Sequence, residues 1–252
     1  MKSLVVVPTY NERENLPRLV PEILAVPGTE VLVVDDQSPD GTGAIADALA
    51  AAHPGRVHVM HRTGRRGLGV SYVDGFKRAV QTDAEVVVQM DADRSHDPQH
   101  LPAMIAAAAA GADLVVGSRY LRGISVVNWP LRRIVLSLFA NGYIRAVTGL
   151  GVRDCTAGYR AWRRDALARL PLDRIRSEGY SFQVEMTFLA MALGFRVVES
   201  PIIFIERREG ASKLSSGILI ESLLAPWRLV FRHGRLRSRA AEAAEYNSKV
   251  SP

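Results

Sequence analysis

Residues 86–98, VVVQMDADRSHDP, run from an apolar stretch directly into three carboxylates. A short, nearly continuous apolar run bounded by turn residues suits a strand buried on both faces, as in a parallel sheet covered by helices. On an extended strand, residues i and i+2 point the same way, so Asp91 and Asp93 can converge on one point at the strand's carboxyl end. Paired acids there fit a hard divalent cation, Mg²⁺ or Mn²⁺, which completes its shell with water and a substrate phosphate. An Asp-rich turn, with Asp93 and Asp97 accepting from local amides, fits the same residues. On its own the acid pair leaves both open.

SLVVV (3–7), EVLVV (30–34), RVHVM (56–60) and DLVVG (113–117) repeat the Val-rich pattern. Residues 15–25, 42–53, 67–81 and 98–110 between them have helical periodicity or Ala-rich helical composition, and Asp97-Pro98 reads as an N-cap with proline at the first helical position. Strand and helix alternating over 3–118 predict a doubly wound α/β sheet, whose ligands bind at the carboxyl ends of the strands. The loops PTYNERENL (8–16) and VVDDQSPDGT (33–42) fall at that same edge. Each alone reads as a turn, but with the Asp91 loop they would line one cleft.

The second half is less regular. Residues 129–147 and 180–193 read as helices, and FRVVES (195–200) and IIFIE (202–206) as strands. LSSGILIESLLAPWRLVF (214–231) contains Glu221, Pro226 and Arg228 and falls short of the ~20 predominantly apolar residues a membrane span needs. It fits a helix lying in a membrane interface with Trp227 at headgroup level, or one that caps the domain. Residues 207–239 hold eight Lys or Arg against two Glu and so account for the whole net charge of +6. A basic stretch suits anionic lipid, phosphate, nucleic acid or a solvated end. With 48% hydrophobic and 23% charged residues, the 252-residue chain is globular rather than disordered. Its single cysteine, Cys155, excludes an internal disulfide. The five-residue apolar run before Pro8 is too short for a signal peptide and reads as a first strand.

Taken in order, PTYNERENL (8–16), VVDDQSPDGT (33–42), GLGVSYVDGF (67–76), MDADRSHDP (90–98), GSRY (117–120), NWPLRRIVLS (128–137), GYSFQVEM (179–186) and FIERREGASKL (204–214) form a pattern. It resembles glycosyltransferase family 2 and, within it, the dolichol-phosphate (polyprenol-phosphate) mannose synthases. The resemblance implies a GT-A fold: α/β, with a Rossmann-like, mostly parallel central sheet, helices on both faces and C-terminal amphipathic interface helices. It divides the chain into a catalytic domain (1–214), an amphipathic basic extension (215–240) and a polar, disordered tail (241–252).

The resemblance further implies that Pro8, Tyr10, Glu12, Val34, Asp36 and Ala92 surround the nucleotide. Asp91 and Asp93 would bind Mg²⁺ or Mn²⁺ and the donor diphosphate. Ser95 stands where some relatives carry Gln, so the third ligand is a hydroxyl, a weak one, or water. Arg119, Arg133 and Ser137 would bind the acceptor phosphate, and Arg207 and Lys213 the donor diphosphate. Asp91, Asp93, Arg119 and Arg133 would carry catalysis, while Glu185 positions the sugar or only completes a helix. The implied reaction moves mannose from GDP-mannose to a polyprenyl monophosphate with inversion. A phosphate nucleophile is already ionised, so no general base is required. A UDP-glucose or UDP-amino-sugar donor is the alternative. A nucleotidyltransferase would need a glycine- and lysine-rich loop that VVVPTYNERENL lacks, and acids in the cleft argue against nucleic acid. The expectation is a peripheral enzyme on the cytoplasmic membrane face, with the membrane surface and a membrane protein as partners.

Overall fold

The computed structural model describes residues 1–175, 177–206 and 216–232, without the side chains of 216–223. Its first half runs β1 (Ser3–Thr9), α1 (Leu16–Leu24), β2 (Thr29–Asp35), α2 (Thr42–Ala52), β3 (Val57–His61), α3 (Leu68–Ala79), β4 (Val86–Gln89), α4 (Leu101–Ala109) and β5 (Leu114–Ser118). Then follow β6 (Val126–Val127), α5 (Leu131–Thr148), β7 (Arg160–Arg163), α6 (Arg164–Ala168), α7 (Gly179–Ala192), β8 (Val197–Pro201), β9 (Phe204–Ile205) and α8 (Ser216–Arg232).

Seven strands form one sheet in the order β3-β2-β1-β4-β7-β5-β8. All neighbours pair parallel except β7, which runs antiparallel between β4 and β5. Sequence reading did not foresee β7: Arg160-Ala161-Trp162-Arg163 shows neither alternation nor an apolar run, yet its first three residues are buried. Insertion between two strands, rather than local pattern, makes it a strand. The Val-rich reading also needs one correction. Only the first residue of β3 is buried, because β3 is an edge strand and lacks a neighbour on one side.

Register sets the site. Pro8 lies opposite Val34 and Thr9 opposite Asp35, so the loops after β1 and β2 leave the sheet side by side, with the β4 loop on the other flank of β1. The Asp97 cap is present: its Oδ1 accepts from the Gln99 amide at 2.8 Å, opening a 3₁₀ turn that leads into α4. Helix α3 lies close on the sheet because Gly75 has no side chain. A Cβ there would meet Val6 Cγ1 at 2.5 Å and Val34 Cγ2 at 3.0 Å.

Helix α7 is buried from Ser181 to Ala192, so it packs on all sides, which is why its sequence shows no polar stripe. Helix α5 divides differently. Its buried residues, Asn141, Ile144, Val147 and Thr148, all lie in the second half. The first half leaves Leu131 (75%), Val135 (58%) and Phe139 (65%) exposed. Helix α8 packs against α5 and α7; Leu229 is buried, Trp227 Nε1 donates to Tyr143 Oη at 2.9 Å, and Phe231 is 79% exposed. Helix α8 therefore packs onto the rest of the fold while still presenting apolar side chains outward. The tail at 241–252 lies outside the described residues.

Candidate active site

A cleft of about 430 Å³ opens at the carboxyl ends of β1, β2 and β4, lined in part by Pro8, Tyr10, Glu12, Asp36, Asp91 and Asp93. Ala92 lines it too, whereas the Val34 side chain is wholly buried beneath and does not reach it. Three non-glycine residues of these loops, Asn11, Gln37 and Arg94, have φ near +60°. Such backbone is costly and is held only where surrounding structure imposes it, as at ligand sites.

Tyr10, which sequence alone left as either core or site, is 43% exposed. Its hydroxyl accepts from Arg66 Nη1 at 2.9 Å. Glu12 is fixed by its amide donating to Thr42 Oγ1 at 2.9 Å and by Asn15 Nδ2 donating to its carboxylate at 2.7 Å. Asp36 is nearly buried, and its carboxylate takes the Gly67 amide at 2.8 Å and the guanidinium of Arg62. Much of its accepting capacity is thus met within the protein. Arg66, Gly67, Leu68 and Ser71 also line the cleft, with Arg62 buried behind Asp36, yet the sequence on its own assigns them no role. The signal was GLGVSYVDGF, which opens α3 at the cleft edge.

The acid pair is held by neutral donors. Tyr72 Oη donates to Asp91 Oδ1 at 2.6 Å. Burial, then the neighbouring Asp91 charge, raises the Tyr72 pKa well above the usual phenol value, so it stays a protonated donor. Ser95 donates to Asp93 Oδ1 through both its amide (3.0 Å) and its hydroxyl (2.6 Å). Ser95 therefore orients Asp93, and its hydroxyl proton is already committed. His96 accepts the Asp91 amide on Nδ1 at 3.1 Å and stacks on Tyr159 with centroids 4.9 Å apart. Burial lowers its pKa, against the opposing pull of Asp91 and Asp93, and with Nδ1 occupied it is a poor metal ligand.

Among the described residues no group of three or more His, Cys, Asp or Glu side chains is arranged to hold a metal ion. Two oxygen donors beside an open cleft nevertheless suit a hard cation that draws the rest of its shell from water and phosphate. The residues fit Mg²⁺ or Mn²⁺ in that sense.

A second cluster forms at the end of β5. Arg119, 5% exposed, grips Asp154 through Nε at 2.7 Å, Nη2 at 2.6 Å and its amide at 3.0 Å, and Thr156 through Nη2 at 2.8 Å. Burial works against its charge, but Asp154 more than compensates and raises its pKa. The Trp129 ring carries Arg119 at 5.4 Å and Arg133 at 4.0 Å from its centroid. Arg133 also pairs with Glu206, whose amide donates to Val127 O at 3.2 Å. Ser137, one turn along α5, accepts from Tyr120 Oη at 2.7 Å. Arg119, Arg133 and Ser137 thus come together, although Asp154, Glu206 and Trp129, which organise them, had no assigned role. Phe204 joins the two clusters. It lies 5.5 Å beneath the Arg119 guanidinium and meets the His96 ring edge-on at 5.9 Å.

Glu185 is fully buried, accepts from the Ser177 amide at 3.0 Å and from Arg232 at 3.4 Å, and ties α7 to a loop and to α8. Arg207 and Lys213 lie outside the described residues.

Among solved structures, glucosyl-3-phosphoglycerate synthase from Mycobacterium tuberculosis, in complex with Mn²⁺, UDP-glucose and phosphoglyceric acid, matches with a TM-score of 0.65. The match covers 92% of this chain and 80% of that one at 19% identity, and so bears on the fold. Fold and cleft define a GT-A glycosyltransferase. The chain belongs to glycosyltransferase family 2, whose profile spans residues 4–170. Polyprenol monophosphomannose synthase of Mycolicibacterium smegmatis is 51% identical over 239 residues, covering 94% of this chain and 90% of the relative. Undecaprenyl-phosphate mannosyltransferase of Micrococcus luteus is 48% identical over 242 residues, covering 95% and 99%.

Proposed function

We propose that this glycosyltransferase moves mannose from GDP-mannose to the phosphate of a polyprenyl monophosphate, inverting the anomeric centre to give a β-linked product. The observation that carries the reading is the pairing of an acid-lined cleft with a separate two-arginine cluster, linked through His96 and Phe204. A donor diphosphate and an anionic acceptor need two such stations. The polyprenyl-phosphate names of the two relatives support the acceptor class.

Pro8, Tyr10, Glu12, Asp36 and Ala92, with the main chain at Val34, would surround the nucleotide. Asp91 and Asp93 would hold a divalent cation, which supplies neutralising charge to the departing diphosphate. The Mn²⁺ complex of the M. tuberculosis neighbour supports a metal of that type. Ser95 serves the pair by orienting Asp93. Arg207 and Lys213 would add positive charge over the diphosphate.

Arg119 would bind the acceptor phosphate through Nη1, since Nε and Nη2 are taken by Asp154 and Thr156. Arg133 would bind it once Glu206 yields, with Ser137 one turn on. The acceptor oxygen is ionised at neutral pH, so these residues work by bringing two anions together and aiming one at the anomeric carbon. They need not remove a proton.

No helix among the described residues is long and apolar enough to cross a membrane. The exposed apolar side chains of α5 and α8 support peripheral seating on a membrane surface, which this reading puts at the cytoplasmic face, with the lipid phosphate entering at the start of α5. A membrane-protein partner could share that face.

The test incubates labelled GDP-mannose, UDP-glucose or UDP-N-acetylglucosamine separately with polyprenyl phosphate and Mn²⁺ or Mg²⁺. Label entering the organic phase from GDP-mannose alone is the expected result. Label from a UDP donor would replace the sugar assignment and keep the acceptor.

A further inference from the structure

Acids at this sheet edge have two kinds of partner. Asp36 is paired with a guanidinium, that of Arg62. Asp91 is not: among the described residues the basic side chain within 4.0 Å is His96, through Nε2, and its Nδ1 accepts the Asp91 amide at 3.1 Å. Its donor is instead the phenol of Tyr72, 2.6 Å from Oδ1. A guanidinium would cancel the carboxylate's charge and compete with any cation. A phenol fixes the carboxylate and leaves its charge in place.

The phenol is itself held firmly. Tyr72 is completely buried. Its ring stacks on Phe182 at 5.9 Å with planes 5° apart, and on Phe76 at 5.7 Å. Gly75, one turn further along α3, lets the helix approach β1 and β2 closely enough for the hydroxyl to arrive at the β4 loop. On the other side of the carboxylate Gly158 carries no side chain; a Cβ there would come within 3.2 Å of Asp91 Oδ2. Asp91 is therefore held at Oδ1 by a hydroxyl that carries no full charge, while Gly158 leaves room beside Oδ2.

We propose that Tyr72 is the positioning residue of the cation site: its hydroxyl sets the orientation in which Asp91 meets a divalent metal. This rests on the reading of Asp91 as a ligand of metal and donor diphosphate. Tyr72 touches neither substrate nor metal and acts only through Asp91. Groups that orient a metal ligand change metal affinity by roughly 10–100-fold when removed.

The test measures Mn²⁺ binding by electron paramagnetic resonance, in the presence of GDP, for wild type, Tyr72→Phe and Asp91→Asn. Thermal unfolding is followed in parallel. Tyr72→Phe keeps the ring stack and is expected to weaken Mn²⁺ by about 10–100-fold while remaining folded. In turnover its KM for metal rises, and kcat recovers at saturating metal. Wild-type Mn²⁺ affinity in Tyr72→Phe, with Asp91→Asn impaired, would reduce Tyr72 to a packing residue and overturn the proposal. Wild-type affinity in both variants would overturn the metal reading of Asp91, and the proposal with it.

Discussion

Arg119 and Asp154 form a bidentate, almost fully buried ion pair, with N–O distances of 2.7 and 2.6 Å, and the Arg119 amide donates to the same carboxylate. The pair locks Arg119 under Trp129 before any ligand arrives. Removing one partner of such a pair strands the other charge in a dry site, at a cost of about 3–5 kcal/mol. Asp154→Ala should lower stability by that amount, read as a fall in the urea midpoint. Arg119→Lys, which cannot bridge both oxygens, should lose activity as well as stability.

Glu206 sits on Arg133 as an internal anion. If Arg133 serves the acceptor phosphate, that carboxylate competes with it. Exposed and half-exposed ion pairs contribute about 0.2–1 kcal/mol, so Glu206→Gln should lower the KM for polyprenyl phosphate up to about five-fold. Initial-rate titrations of the lipid at fixed donor would show it. An unchanged or raised KM would mean that Glu206 holds Arg133 in place rather than competing for it.

Gly75 faces Val6 at a distance no Cβ could occupy without displacement. Gly75→Ala overpacks the helix–sheet contact, a change that typically costs about 1–3 kcal/mol. The expected result is a lower thermal midpoint and, because Tyr72 rides on the same helix, weaker Mn²⁺ binding.

Cys155 is fully buried, and burial pushes its thiol up to about 12. The native thiol should resist iodoacetamide at pH 8 and react once urea unfolds the chain. The stabilising effect of keeping this thiol neutral is full below the ordinary thiol pKa of 9.0 and is lost as pH rises toward about 12. Wild type should therefore lose more stability than Cys155→Ala across that alkaline window.

The outward side chains of α5 and α8 offer a separate test of membrane seating. Phe139 and Phe231 are 65% and 79% exposed. Full burial of a Phe side chain is favourable by about 1.5–3 kcal/mol, so Phe139→Ser with Phe231→Ser should weaken flotation with anionic liposomes at least ten-fold. Activity on a short-chain, water-soluble acceptor should be spared. Unchanged flotation would reassign that surface.

How much the sequence disclosed varied from element to element. The strands β1, β2, β4 and β5 were legible because an uninterrupted Val run can be satisfied only by burial on both faces. β3 shared that pattern and proved to be half exposed, since being an edge strand is a property of the whole sheet. β7 was illegible because its strand character comes from the neighbours on either side. Helix α5 was legible as a helix, but not as one whose first half leaves the core.

The candidate site shows the same division. Local spacing and turn chemistry brought the loops after β1, β2 and β4 to one sheet edge and put Asp91 and Asp93 there. Those properties are written within a few residues of each other, so they are legible before the chain folds. What each charged group does once there was decided by partners far away in the chain. Asp36 meets Arg62 across 26 residues, Asp91 meets Tyr72 across 19, Arg119 meets Asp154 across 35, and Arg133 meets Glu206 across 73. Whether a carboxylate keeps its charge available or gives it to a guanidinium depends on what the folded chain sets within hydrogen-bond reach, and those partners arrive from tens of residues away.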